Sequence, residues 1–250
     1  GIIFFKINCN MRTSFKACLF KLSKKEISNS KTIFYFGCFL GFSPIIIQYI
    51  YLYLFNTEIN GMIYTLAFVL GMLIILCANF YQFSDYEKIK AKKNGFLEFS
   101  ENELIISFNE RIKYSELTDL ALIVDAYYDE SINPSFGLIA DGKRSLGISN
   151  SLKITHNLKS REFNFKLENE SHKEILERTI YQLVINDKLK NLNGKESIYL
   201  IPEKFRHTNE YKEYIIRQLK ARKVSCTEGL LMIGYKNYEE AQELKKKYCN

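Results

Sequence analysis

Two uninterrupted stretches without an ionisable acid or base constrain this chain more than any other feature. One runs for 26 residues from Thr32 to Thr57 and the other for 26 from Ile59 to Ser84, with Glu58 between them. A hydrocarbon core of about 30 Å is crossed by roughly 20 helical residues. The stretches therefore predict a transmembrane helical hairpin over 33–83, with spans at 33–55 and 61–83 and a turn from Asn56 to Asn60. Buried helices of soluble proteins are usually amphipathic, and the first stretch is too long for the apolar part of a secretory signal.

The flanks set an expected orientation. Lys6, Arg12, Lys16, Lys21, Lys24, Lys25 and Lys31 precede the first span against Glu26 alone, and Lys88, Lys90, Lys92 and Lys93 follow the second. Lys and Arg accumulate on the cytoplasmic side. The pattern predicts a multi-pass protein of the cell inner (plasma) membrane with both termini cytoplasmic and residues 1–32 as a basic cytoplasmic tail. Residues 1–10 are read either as upstream read-through ahead of a start at Met11 or as a fragment boundary.

Within the spans, Gly37 and Gly41 form a GxxxG match, and Ala67 and Gly71 repeat the spacing. Small residues let lipid-embedded helices approach closely, so these positions are candidates for packing the hairpin and for contacts with a second copy or another membrane protein. Neither span carries Asp, Glu, Lys, Arg or His, which argues against a proton relay or ion-coupled transporter.

The formal charge of +7 suggests nucleic acid until it is divided along the chain. Residues 1–32 hold +6 and Glu58 holds −1. Residues 84–250 carry 28 basic and 26 acidic side chains, a net +2. Their charges are interspersed as on a solvated surface, and no basic stripe with aromatics is present, so no nucleic-acid partner is expected. The expected partners are the lipid bilayer and, through Lys88, Lys90, Lys92 and Lys93, anionic lipid headgroups.

From Gly95 the apolar period becomes two. Phe96–Phe99, Leu104–Phe108, Arg111–Tyr114 and Leu120–Tyr128 read as strands, with a hairpin connection at Asn109–Glu110. Phe136–Ala140 and Ser145–Ser149 flank Asp141-Gly142, a hairpin signal, and Ile154 and Arg161–Leu167 add further strands. Ser171–Glu174 fits a capping box, with Leu176, Ile180, Leu183 and Val184 on one helix face. Beyond Gly194 the pattern reads β-α-β-α: strands at Ser197–Ile201 and Leu230–Tyr235, helices at Asn209–Lys223 and Tyr238–Tyr248.

A two-span hairpin followed by an antiparallel meander and one amphipathic helix resembles the bacterial membrane proteins with a PH-like domain. The resemblance covers about residues 95–190 and is carried by Gly95–Asn102, Ile112–Leu117 and the helix after Ser171. It implies a curved antiparallel sheet closed by the helix, used for binding or oligomerisation rather than chemistry. The expected fold class is an α+β membrane protein: basic tail (1–32), hairpin (33–83), PH-like domain (84–193) and a small βαβα extension (194–250).

Chemical motifs are weak by comparison. Gly137–Arg144 approaches a P-loop but places Arg144 where a Ser or Thr must ligand Mg²⁺. Cysteines at 9, 18, 38, 77, 226 and 249 form no CxxC, which predicts neither a zinc site nor a disulfide framework and fits a reducing compartment. His156, His172 and His207 are scattered, with His172 expected to be exposed, and Asp125, Asp129 and Glu130 beside Tyr127 and Tyr128 read as a strand end entering a solvated loop. No catalytic, cofactor-binding or metal residue is assigned. The expected role is a membrane-anchored binding or scaffold module on the cytoplasmic face, not an enzyme. The alternatives are a membrane-bound enzyme with an unrecognised site between the cytoplasmic modules, and an accessory subunit of a membrane complex.

Overall fold

The computed structural model describes residues 14–55, 61–133 and 138–249. It is an α+β protein in which two apolar helices, a mostly antiparallel sheet and a set of C-terminal helices follow one another, with one departure at the start. Residues read as a basic tail form strand β1 (Phe15–Glu26), the fourth of seven strands in the main sheet. Phe15, Ala17 and Leu19 are buried and alternate with Lys16, Cys18 and Phe20, so the period of two was present among the lysines.

Helix α1 (Asn29–Phe55) and helix α2 (Gly61–Tyr81) come next, the first beginning four residues before the expected span. Ser28 explains the earlier start, because its hydroxyl accepts the Lys31 N–H at 3.3 Å and caps the helix. Both helices are long and apolar enough to cross a membrane, and only 11% of each apolar window is buried. Pro44 lies inside α1, where it removes one backbone donor from the ladder. The expected turn at 56–60 lies outside the described residues, as do residues 1–13.

The chain then returns as β2 (Lys88–Phe99), which pairs with β1 from Phe15↔Phe99 to Glu26↔Lys88. The apolar hairpin is thus inserted between two neighbouring antiparallel strands. Strands β3 (Glu103–Ile106), β4 (Glu110–Lys113) and β5 (Leu117–Ile123) follow, then β6 (Tyr128–Ser131) and β7 (Arg144–Leu146), then β8 (Asn150–His156) and β9 (Lys159–Phe165). The main sheet runs β4-β3-β2-β1-β9-β8-β5, and β6 and β7 form a separate pair. The Asp141-Gly142 hairpin does not form: β7 starts at Arg144 and pairs with β6, while Leu138–Ala140 is not a strand and Phe136 lies outside the described residues.

Helix α3 (Glu170–Ile185) covers the sheet. Its cap is Asn169, whose side chain accepts the His172 N–H at 2.9 Å, two residues before the expected capping box. Leu176, Ile180, Leu183 and Val184 are buried with Phe15, Phe99, Phe165, Leu152 and Ile154 in one core. Each such side chain contributes about 1.5–3 kcal/mol when taken fully from water.

The extension expected as β-α-β-α is helical throughout: α4 (Gly194–Tyr199), α5 (Asn209–Lys220), α6 (Cys226–Ile233) and α7 (Tyr238–Tyr248). The two short apolar runs read as strands became α4 and α6, because runs of five or six apolar residues do not distinguish strand from buried helix by period. Tyr211, Ile215 and Leu219 of α5 are buried on one face, and the core continues through them to Val224. A second difference is chemical. Cys226 and Cys249 are joined in a disulfide, against the expectation of none, because α6 and α7 fold back at Gly234 and bring positions 23 apart together.

Candidate functional site

The base of the apolar hairpin is the most densely bonded polar region, and it is built by three separated segments: 28–31, 82–88 and 141–146. The Ser28 hydroxyl donates to Asp141 Oδ1 at 2.6 Å and accepts the Gly142 N–H at 3.1 Å. Lys31 pairs with the same carboxylate at 3.5 Å. Across the base, Asp85 Oδ2 accepts the Ser30 N–H at 2.7 Å and so serves the start of α1 from another part of the chain. The carbonyl of Gln82 accepts the Lys143 N–H at 2.9 Å, and the Arg144 side chain donates to the Phe83 and Asp129 carbonyls at 3.0 Å each. Ser28, Ser30, Gln82, Asp85, Glu87 and Ser145 are all buried here. Among the described residues no buried side-chain nitrogen or oxygen lacks a partner.

Sterics fix the same contact. A Cβ added to Gly142 would stand 2.4 Å from the Tyr86 carbonyl oxygen, so the loop reaches the β2 approach only because position 142 has no side chain. Burial pushes the Asp141 carboxyl up, but the Ser28 hydroxyl, Lys31 and the Gly142 N–H outweigh it and hold it below its ordinary value. A hydrogen bond to Asp129 Oδ1 at 2.7 Å pushes the Tyr86 phenol up, and its ring stacks on Tyr128 at 5.5 Å.

The four candidate lysines lie on β2 immediately after this base. Lys88 is half-buried and donates to Asn29 Oδ1 at 2.8 Å, and Lys90 pairs with Glu26 at 2.7 Å. That bond raises the Lys90 pKa and lowers that of Glu26. Lys92 and Lys93 are exposed and form no ion pair among the described residues. Lys88, Lys90 and Lys92 share one face of the strand and Lys93 takes the other. Register places Lys21 opposite Lys92 and Lys25 opposite Ile89, so lysines from both sides of the hairpin meet on one ribbon.

Three of the four candidate packing residues converge. Gly37, Gly41 and Gly71 are buried at the α1–α2 crossing, where a Cβ on Gly71 would stand 2.6 Å from the Gly41 Cα and backbone nitrogen. Ala67, one turn earlier, is half-buried. The small surface is therefore covered within the chain.

The remaining chemical candidates are engaged structurally. Asp129 binds Tyr86 and lies 3.5 Å from Arg144, and Glu130 accepts the Tyr127 N–H at 2.9 Å and lies 3.7 Å from Lys173. Asp125 is exposed, and its N–H donates to Asn150. His156 lies 3.3 Å from Glu116. His172 is not simply exposed: its ring stacks on Phe15 at 4.6 Å, accepts the Glu168 N–H through Nδ1 and reaches the Lys16 carbonyl through Nε2 at 2.7 Å. Among the described residues no cluster of three or more His, Cys, Asp or Glu could hold a metal ion.

The sequence reading missed an open cleft of about 610 Å³ in the helical part, lined by Tyr199, Arg206, His207, Tyr211, Lys212 and Leu231 among others. Its walls come from α4, α5 and α6 and had no linear signal, since two of those helices were read as strands. Asp125, Asp129 and Glu130 do not line it. The class that fold and site define is an α+β protein with an apolar helical hairpin set into its sheet. No protein-family model matches the chain, and neither does any curated protein or solved structure.

Proposed function

We propose that this protein is a membrane-anchored binding or scaffold module, with a PH-like sheet domain held by a transmembrane hairpin on the cytoplasmic face of an inner membrane. The observation that carries this reading is the insertion of α1 and α2 between the paired strands β1 and β2, with both helix ends bonded into the loop at 141–144. A hairpin attached by a single linker leaves a domain free to tumble, whereas two strands and a buried polar base fix its orientation to the bilayer. The antiparallel sheet with α3 packed on it supports the PH-like part. Exposed Ile27, Leu138 and Ile139 flank the base and suit the membrane interface.

In this arrangement the lysine ribbon meets anionic headgroups. Lys88 and Lys90 stand nearest the bilayer, and Lys93 lies about 17 Å beyond Lys88 and about 10 Å beyond Lys90 along the strand at roughly 3.3 Å per residue. Both distances exceed a Debye length of about 8 Å, so the headgroup attraction is graded along the ribbon. Amine acetylation of the full chain in nanodiscs tests this. Anionic lipid is expected to slow modification of Lys88 and Lys90 more than that of Lys93, and equal rates in anionic and zwitterionic discs would refute headgroup contact. Reporter fusions after Asn250 and within 56–60 test orientation, and an external signal at Asn250 would overturn it.

A further inference from the structure

We propose that Cys226 and Cys249 form a reversible thiol–disulfide clasp that fastens α7 onto α5 and α6 and opens when a small dithiol reduces it. The inference rests on the cytoplasmic placement proposed above, where disulfides are transient and serve redox sensing or catalysis. Helix α7 has no buried residue, and an isolated helix of its 11 residues is marginal in water. What it packs against the core lies at its far end, Tyr248 and the adjoining Cys249. At its near end Gly234 adopts φ +78°, with open space around it, so the segment has room to pivot there. The disulfide thus fastens the end opposite the pivot.

Both half-cystines are half-buried and border an open cleft of about 410 Å³, whose wall includes Leu219 and Val224. A dithiol's thiolate attacks one sulfur to form a mixed disulfide, and its second thiol then displaces the cysteine. Two electrons and two protons pass to the protein, leaving two cysteine thiols and the oxidised reductant. Release of α7 widens the cleft into an accessible apolar floor with Arg222 and Lys223 at its edge. Cys18, Cys38 and Cys77 lie elsewhere as free thiols, so the pair has no described competitor.

Hydrogen exchange of the full chain in nanodiscs, with and without dithiothreitol, tests the clasp. Reduction is expected to speed exchange in 238–248 by roughly 10- to 100-fold while α3 and the sheet keep their protection, and Cys226→Ser should show the fast rate without reductant. Equal α7 rates in both redox states would overturn the proposal, as would loss of protection throughout the chain. The Asn250 reporter reads placement separately: an external signal overturns the cytoplasmic switch, whereas redox-independent exchange overturns the clasp with placement intact.

Discussion

Ser28 and Asp141, 113 positions apart, are joined by a 2.6 Å hydrogen bond that ties the first turn of α1 to the loop before β7. The hydroxyl also accepts from the Lys31 and Gly142 N–H groups and lies 3.1 Å from the Ser30 hydroxyl. Ser28→Ala removes the cap of the Lys31 N–H and one hydrogen bond to the half-buried Asp141 carboxylate, which keeps Lys31 and the Gly142 N–H. The expected cost is about 0.5–2 kcal/mol, read from thermal unfolding of the full chain in detergent. An unchanged midpoint would show that the base does not hold the hairpin to the domain.

The same carboxylate gives the junction an acid limit. Asp141 is held below its ordinary value in the folded chain, so its contribution is complete above the unfolded value, about pH 4, and is lost as pH falls through the lower folded value. Melting temperature measured between pH 2 and 7 should fall on the acid side for the parent, and Asp141→Asn should flatten that part of the profile. Identical acid limbs would assign the dependence to other carboxylates.

Gly142→Ala tests sterics without removing a hydrogen-bonding side chain. The new methyl would meet backbone at 2.4 Å, which cannot rotate away. Destabilisation of about 1–3 kcal/mol is expected, with Ser28→Ala adding less than its full effect because the two changes share one contact.

Gly71→Leu should part α1 from α2 rather than dissociate an oligomer, since Gly71 already faces Gly37 and Gly41 of the same chain. The measurements are helix melting and sedimentation in detergent. A lowered melt at constant particle mass is expected, and a fall in mass with an unchanged melt would move the role of these glycines to an intermolecular contact.

Asn169→Ala removes the cap of α3 and should cost about 1 kcal/mol. Ser171→Ala should cost less, because Asn169 and not Ser171 accepts the helix N–H. Reversal of that order would restore the capping box at 171–174.

Legibility followed the range of the interactions. The faces of α3 and α5, the last four residues of β2, strands β3 and β4 and the second half of β5 could be read because their periods repeat over neighbouring residues. His172 misled because its partners, Phe15 and the Lys16 carbonyl, lie 156 or more positions away. The base of the hairpin was legible only as fragments: Ser28 looked like part of a tail, Gln82 like the end of a span and Asp141-Gly142 like a turn. Cys226 and Cys249 carried no motif, since their meeting depends on two helices folding back on each other.

The sequence by itself determined the two apolar helices, because freedom from charge over 26 residues is a local property that no distant contact supplies. It also determined the lysines that flank them. Only the tertiary structure decided that those lysines stand on paired strands, since β1 gains its identity from Phe99 and Phe165 on the neighbouring strands β2 and β9. Strand pairing is a contact between distant residues, and a segment such as Phe15–Glu26 can be read as a tail until its partners are in place.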